Sequence, residues 1–199
     1  MATVTTSHTA GTPSTSDVEF DTVVGATYAG NIASWVNPSN ARTSFITYAS
    51  CAYSAGGGTG HSNVLRCTGD FYTSAPIGAG ATITNIKAYA YTSGNTGLEL
   101  HVNMISGTTS QASYTYTGTS QGFRNLFPNN GTLADWGVSH AQAVALLDGT
   151  ARFNVWTVLT DDTSSVTARV YNVYLWLYWT TASTLPIAEG ALPIGMFNY

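Results

Sequence analysis

Residues 76–105 contain the most constraining pattern in this sequence of 199 residues. A small-residue turn at 76–81 is followed by apolar residues that alternate with polar or aromatic ones up to position 90. A second turn at 93–97 leads into another alternating run at 98–104. Period-two spacing on both sides of a turn that contains Gly and Asn is typical of a β-hairpin. The stretch therefore predicts two paired antiparallel strands, and an all-β sandwich is the expected fold class.

The composition agrees with this fold class and describes an unusual surface. Charged residues make up only 8% of the chain, against roughly 25% in typical soluble domains. Thr and Ser take their place, and β-branched Thr favours strands. A weakly charged exterior does little to oppose association, so we expect much of the surface to contact neighbouring subunits. The alternative is a Thr-rich secreted β protein.

Charge and apolar patterning disfavour several classes of partner. The net charge is −4 and the six Lys and Arg residues are scattered, so we expect no nucleic-acid partner. No apolar run of about 18 residues is present, so we expect no membrane span.

Residues 1–17 lack the basic and apolar regions of a secretory signal and are predicted to form an extended arm. Without an export signal, Cys51 and Cys67 are expected to be buried reduced thiols rather than a disulfide.

No residue pattern for catalysis or metal binding stands out. The four His residues are far apart in sequence, and no Gly-x-Ser-x-Gly element is present. Asp161 and Asp162 could bind calcium, but a solvated hairpin turn is the preferred interpretation. Asp70 and Asp135 could form a glycosidase carboxylate pair, although nothing in the sequence sets their separation. We therefore expect no enzyme activity, no cofactor and no metal site.

The remaining pattern predicts further strands and one short helix. The apolar alternation shifts by one residue near Tyr171 and Asn172, which predicts a β-bulge. Ser139 and Gln142 have capping-box spacing and Gly149 is placed to end a helix, so the helix is expected at about 140–148. Residues 123–137 are predicted to form a long surface loop. The other expected strands lie at 18–24, 43–49, 63–67, 112–116, 151–160 and 166–179.

The patterns thus predict an antiparallel β-sandwich with one short helix and extended terminal arms. The sandwich domain is expected at 18–180, between the N-terminal arm at 1–17 and a C-terminal arm at 181–199. Apolar residues on one face of each strand should form the core. Those expected to be buried are Ile83, Ile86, Leu100, Val102, Phe153, Val155, Leu175 and Leu177.

The C-terminal part of the chain carries the residues expected to contact other subunits. The strand at 166–179 is aromatic on its second face, and a strand that is apolar on both faces is covered on both or lies against a partner. Residues 181–199 contain Leu-Pro-Ile twice, and their Pro and Gly disfavour both a sheet ladder and a helix. The subunit-interface candidates are Tyr174, Trp176, Tyr178, Leu185, Ile187, Leu192, Ile194, Met196, Phe197 and Tyr199.

Aromatic side chains can also stack on sugar rings, so carbohydrate binding is a second hypothesis. A core or interface role is preferred because the aromatic residues have period-two spacing within strands. The residues considered for sugar stacking are Trp35, Tyr89, Tyr91, Trp136, Trp156, Tyr174, Trp176 and Tyr178.

Three stretches of the chain form a further pattern when they are taken together. The first, at 35–41, reads W-V-N-P-S-N-A. The second combines 63–71, N-V-L-R-C-T-G-D-F, with 77–86, I-G-A-G-A-T-I-T-N-I. The third begins with W-G-V at 136–138 and its following helix, and continues through the strands at 151–179. Together these stretches resemble a domain of tailed-bacteriophage virion proteins of the minor tail, fibre and head-decoration types, and this resemblance implies a jelly-roll-like sandwich.

The resemblance implies a virion protein without known catalytic residues. Together with the composition, it predicts a non-enzymatic structural protein, either a capsid decoration (cement) subunit or a tail-associated subunit, assembled in the host cytoplasm. The expected partners are further copies of the chain, as a homo-oligomer such as a trimer, and other virion proteins such as major capsid or tail subunits. The alternative is a carbohydrate-binding adhesion module on the virion or cell surface, with a glycan as ligand. A secreted glycan hydrolase is a third hypothesis.

Overall fold

The computed structural model of the chain contains two β-sheets packed face to face. Within the described ranges the chain forms fourteen strands and two α-helices. The structure describes residues 4–7, 14–20, 22–27, 30–42, 45–56, 59–69, 81–104, 108–160 and 164–181. In chain order the elements are β1 (Val4–Ser7), β2 (Ser14–Glu19), β3 (Thr22–Ala26), β4 (Asn31–Ala33), β5 (Trp35–Val36), β6 (Ala49–Tyr53), β7 (Gly60–Ser62), β8 (Val64–Thr68), β9 (Ala81–Gly94), β10 (Leu98–Asn103), β11 (Ala112–Thr115), β12 (Gly122–Asn125), α1 (Leu133–Trp136), α2 (His140–Leu147), β13 (Phe153–Leu159) and β14 (Val166–Thr181).

Each sheet is organised around one long strand. In the first sheet, one edge of β14 pairs with β9, which pairs in turn with β12. The other edge of β14 is shared, because β6 pairs with 166–170 and β2 pairs with 174–179. In the second sheet, β13 pairs with β10 on one edge and with β8 and β7 on the other. Every pairing among the described residues is antiparallel except that of β4 with β7.

The predicted fold class, an all-β sandwich, is confirmed, and so is the predicted core. The two sheets bury their facing side chains against each other, and each of the eight predicted core residues is at most 2% exposed. The predicted strands at 63–67, 112–116, 151–160 and 166–179 are present within two residues at each end. The predicted β-bulge is also present, because the register of β14 on β9 shifts between Val170 and Asn172.

The predicted hairpin at 83–104 is wrong. β9 pairs with β12 and β14 in the first sheet, whereas β10 pairs with β11 and β13 in the second. The intervening turn carries the chain across the sandwich, and Asn95 ties it to β14: the Thr167 amide donates to Asn95 Oδ1 at 2.8 Å. The alternating apolar residues of two successive strands are buried whether the strands pair as a hairpin or face each other across the core. Alternation therefore does not distinguish these two arrangements. The expected hairpin between the last two strands is wrong for the same reason, because β13 and β14 lie in different sheets.

The N-terminal part of the chain also differs from expectation. The single strand predicted at 18–24 is two strands, because β2 belongs to the first sheet and β3 to the second. Phe20 lies between them, is buried, and stacks on Phe153 with ring centroids 5.7 Å apart. β1 and β2 lie mostly within the expected arm at 1–17. They pair with each other, and β2 pairs with β14, so they extend the first sheet.

Of the strand predicted at 43–49, residues 45–48 are not in a strand, and residues 43 and 44 lie outside the described residues. β6 begins only at Ala49, because its partners β5 and β14 pair with nothing before that residue. Residues 45–47 are instead exposed bends. Strand propensity alone does not make a strand where no partner completes the ladder.

The helical region contains one element more than predicted. α2 matches the prediction: Ser139 caps it, Gln142 completes the capping box, and Gly149 follows with φ +79°. The loop predicted at 123–137 is wrong, because it contains the end of β12 and the one-turn helix α1. Thr132 and Asp135 form a second capping box, and this Thr-x-x-Asp spacing was the available sequence signal.

Candidate functional site

Ten aromatic side chains lie together on the outward side of the first sheet. We call this surface the outer aromatic face, and most of it is carried by β9, β12 and β14. Strand alternation explains its position: Ala88 and Ala90 of β9 are buried, so Tyr89 and Tyr91 point outward. The residues of the outer aromatic face are Phe45, Tyr48, Tyr89, Tyr91, Phe123, Phe127, Tyr171, Tyr174, Trp176 and Tyr178.

Strand pairing brings these rings into a continuous network. Tyr89 lies opposite Tyr174 in the ladder between β9 and β14, and their rings stack with centroids 5.4 Å apart. Tyr91 lies opposite Phe123 of β12, with ring centroids 4.8 Å apart. Trp176 extends the network from Tyr89 at 5.3 Å. Because the ladder sets these positions, the arrangement is a property of the sheet rather than of mobile side chains.

The network continues to both ends of the outer aromatic face. At one end, Tyr91 contacts Phe45 at 5.1 Å and Tyr171 at 5.7 Å, and Tyr171 contacts Tyr48 at 5.2 Å. Phe45 comes from the bends before β6, which explains why a residue outside the ladder can lie on this face. At the other end, Tyr89 contacts Phe127, with ring centroids 5.4 Å apart.

A cation stands near each end of the outer aromatic face. Lys87 Nζ lies 5.2 Å from the ring centroid of Tyr178 and 5.6 Å from that of Phe127. The guanidinium carbon of Arg169 lies 5.2 Å from the ring centroid of Tyr48. Contacts of this kind are worth about 0.5–1 kcal/mol at exposed sites. They also give a largely uncharged surface two positive ends.

The outer aromatic face presents a substantial apolar surface to its surroundings. Phe123 is 54% exposed, Phe45 51%, Trp176 39% and Tyr48 37%. With roughly 200 Å² for one aromatic side chain, these four present on the order of 350 Å². The largest apolar patches of monomers measure about 300–600 Å² and are often functional. This surface is therefore the strongest candidate for an interaction site among the described residues.

Ring orientation favours a protein partner over a sugar. A sugar-binding platform needs ring faces that are open and roughly coplanar. Tyr89 and Tyr174 are nearly parallel, but the highly exposed Phe45 is strongly tilted against its neighbours. The interplanar angle is 79° between Phe45 and Tyr91 and 73° between Phe45 and Phe123. The two most exposed of these rings belong to Phe, which offers no hydrogen bond to a hydroxyl group. An uneven apolar surface of this kind is better suited to packing against the side chains of a protein partner.

The structure groups some of the predicted site residues and separates others. Tyr174, Trp176 and Tyr178 lie on the outer aromatic face, together with Tyr89 and Tyr91. Trp35, Trp136 and Trp156 do not, because each is at most 7% exposed. The other interface candidates, which lie outside the described residues, are Leu185, Ile187, Leu192, Ile194, Met196, Phe197 and Tyr199. The predictions missed Phe45, Tyr48, Phe123, Phe127 and Tyr171.

The buried tryptophans have structural contacts instead. Trp136 Nε1 donates to Ile86 O at 2.7 Å, and its ring meets Phe153 edge-on at 6.3 Å. Trp35 Nε1 donates to Asn63 O at 2.7 Å. These bonds satisfy the polar atom of each buried indole, so both residues anchor the sandwich rather than present a surface.

A second cluster of polar side chains lies on β10. Glu99 Oε2 is 2.7 Å from His101 Nε2, and His101 Nδ1 is 2.8 Å from Ser110 Oγ. Ser110 Oγ also lies within hydrogen-bond distance of Ala112 O, at 3.2 Å. These contacts tie the segment before β11 to the side chains of β10.

The two cysteines lie in the sandwich interior as free thiols, as expected. Burial raises the pKa of Cys51 to about 11, although hydrogen bonds with Thr157 and Ser62 partly oppose the shift. Burial alone raises the pKa of Cys67 above its usual range. Such thiols are inert at neutral pH.

Among the described residues no group of three or more His, Cys, Asp or Glu side chains is placed to bind a metal. No helix among these residues is long and apolar enough to cross a membrane.

Comparison with protein-family models, with curated proteins and with solved structures found no significant match to this chain.

Proposed function

We propose that this chain is a non-enzymatic structural subunit of a tailed-phage virion and that it assembles through the outer aromatic face. The observation that carries the assembly part is the exposure of four large aromatic side chains in one continuous network. Burying such a surface is favourable at about 25 cal/mol per Å². A chain with 8% charged residues has few groups that would repel a partner.

The virion location of this subunit is supported by the sequence resemblance at 35–41, at 63–71 with 77–86, and at 136–138 with the following helix and the strands at 151–179. A capsid decoration subunit or a tail-associated subunit would contact copies of itself and the major capsid or tail proteins. In both settings the chain acts by packing, and its low charge and broad apolar face suit a permanent contact better than a transient one.

The assembly part is tested by measuring oligomeric state for the wild-type chain and for the Phe45→Ser/Phe123→Ser double variant. Sedimentation velocity should show an oligomer for the wild type and a monomer for the variant. Val24 of β3, in the second sheet, is as exposed as Phe123, so Val24→Ser is the matched control and should remain oligomeric. A wild-type monomer, or an oligomer that survives the double substitution, would contradict the proposal.

The virion part needs a separate measurement. Quantitative mass spectrometry of purified particles should give a copy number that is a simple multiple of the capsid or tail symmetry. Absence of the chain from purified particles would refute the location and leave the assembly result untouched.

Glycan adhesion is the second candidate function, because Tyr89, Tyr174 and Trp176 are grouped on one surface. A glycan array with the wild-type chain and the Trp176→Ala variant separates the two functions. Binding that is lost in the variant would favour adhesion, whereas no binding by either protein favours assembly.

A further inference from the structure

The outer aromatic face has two ends whose separation can be read from β14. Tyr171 marks one end, where it contacts Tyr48 and Tyr91. Tyr178 marks the other, beside Lys87. The two residues are seven positions apart in the same strand, and at about 3.3 Å per residue this separation is roughly 23 Å.

The chain beyond β14 carries a repeat with the same spacing. Leu-Pro-Ile occurs at 185–187 and again at 192–194, seven positions later. A Pro-containing segment in an extended conformation advances about 3.1 Å per residue, which places the two units roughly 22 Å apart. Aromatic-lined surfaces are known receptors of extended chains that contain Pro, and the fixed φ of Pro186 and Pro193 lowers the ordering cost at each unit.

We propose that the outer aromatic face binds residues 182–199 of a second copy of this chain, with one Leu-Pro-Ile unit at each end of the face. This inference rests on the proposed assembly function and names its two contacting parts. The face is bordered by the cations Lys87 and Arg169, and Glu189 is the one charged residue of the segment. No like-charge repulsion therefore opposes docking.

The connection to β14 favours a second copy over the chain's own face. β14 ends at Thr181, close to the Tyr178 end. For Leu185 to reach its own Tyr178, the chain would have to reverse within residues 182–184. These read Ala-Ser-Thr, and only Ser183 among them is of a type that is common in turns, so the sequence gives little support for a reversal this tight.

The area available is consistent with a reciprocal exchange. In such an exchange each subunit buries its own aromatic face against the partner and its own segment against the partner's face. If the segment buries about as much area as the estimated 350 Å² of the face, each subunit buries roughly 700 Å² in total. A stable interface buries about 800 Å² on each partner. A one-way contact would bury about half as much per partner, which is in the range of weak encounters.

The test uses the full chain with a benzoylphenylalanine photo-crosslinker in place of Leu192. Unlabelled and ¹⁵N-labelled chains are mixed in equal amounts, allowed to exchange, irradiated and digested for mass spectrometry. We expect crosslinks to peptides that contain Tyr89, Phe123 or Trp176, with mixed-isotope pairs as frequent as random mixing allows. Crosslinks only between peptides of the same isotope would overturn the proposal, and so would crosslinks to the second sheet.

Two substitutions sharpen this result. Trp176→Ala should lower the yield of these crosslinks about tenfold, the effect expected for an aromatic residue that anchors an interface. Ile32 of β4 is 42% exposed against 39% for Trp176, so Ile32→Ala is the matched control and should leave the yield unchanged. An equal yield in both variants would contradict the proposal.

The same samples are measured by sedimentation velocity to separate this inference from the function on which it rests. An oligomer whose Leu192 crosslinks elsewhere refutes the docking of residues 182–199 and leaves assembly standing. A monomer refutes both.

Discussion

The ring of Tyr116 packs directly against Gly94, so closely that a Cβ at residue 94 would lie 2.8 Å from the ring. Gly94 ends β9 in the first sheet, whereas Tyr116 follows β11 and its amide donates to Leu98 O of β10 at 2.9 Å. The contact therefore joins the two sheets at the point where the chain crosses between them. Only a residue without a side chain fits under the ring.

Gly94→Ala should lower the free energy of unfolding by about 1–3 kcal/mol, the usual cost of overpacking a filled site. Tyr116 is 1% exposed, so its ring has no space into which to move. Urea denaturation measures the change. Gly118→Ala is the control, because a Cβ at residue 118 would meet nothing within 4 Å. Equal midpoints for the two variants would show that the ring does not restrict residue 94.

Gly131 and Gly137 form a second matched pair. Both have positive φ, +70° and +66°, so Ala is strained at either position. A Cβ at residue 131 would also lie 2.6 Å from Ile86 O, whereas one at residue 137 would meet nothing within 4 Å. Gly131→Ala should therefore destabilise the chain by about 1–3 kcal/mol more than Gly137→Ala. A thermal or urea unfolding series that ranks them in the opposite order would contradict the steric argument.

Leu175 and Trp176 test which face of β14 is buried. Leu175 is fully buried, whereas Trp176 is partly exposed on the outer aromatic face. Leu175→Ala should cost about 2–5 kcal/mol through the cavity that it leaves. Trp176→Ala should cost no more than about 1.5 kcal/mol, mainly from its contact with Tyr89. Denaturation is measured at low protein concentration so that assembly does not contribute. Similar losses for both variants would mean that this strand is not buried on one face.

The buried thiols predict how stability changes in alkali. Burial raises the pKa of Cys51 from 9.0 to about 11, so between these pH values the unfolded chain loses a proton that the folded chain keeps. The free energy of unfolding should therefore fall as pH rises from 9 to 11, by up to about 1.4 kcal/mol per pH unit for this group. Cys67 adds to the fall, because its pKa is also raised by burial.

Urea denaturation at several pH values measures this slope, and Cys51→Ala should make it shallower. The native protein should also react with a thiol reagent at pH 8 far more slowly than the unfolded protein, because both thiols are buried and protonated. A slope that is unchanged by Cys51→Ala, together with fast labelling of the native protein, would contradict the burial of this thiol.

Local pattern was sufficient for several features of this protein. Alternation at 173–179 identified which residues of β14 are buried, and its shift near Tyr171 and Asn172 located the bulge. Ser139, Gln142 and Gly149 located α2. In each case the signal and the structure involve residues close together in the chain. Half of the outer aromatic face was recognisable in the same way, since Tyr89, Tyr91, Tyr174, Trp176 and Tyr178 alternate within their own strands.

Other features depended on which strands become neighbours. The turn at Asn95–Gly97 reads as a hairpin, but it crosses the sandwich because β9 is held by β14 and β12 while β10 is held by β13 and β11. Phe45 and Phe123 belong to the outer aromatic face because both contact Tyr91. Tyr91 is 46 positions from Phe45 and 32 positions from Phe123 in the chain. A two-residue period indicates which side chains share a face of one strand, and this much can be read from the residues alone. It carries no information on the strand that completes the ladder, so sheet membership and the grouping of the aromatic rings were decided only by the tertiary pairing.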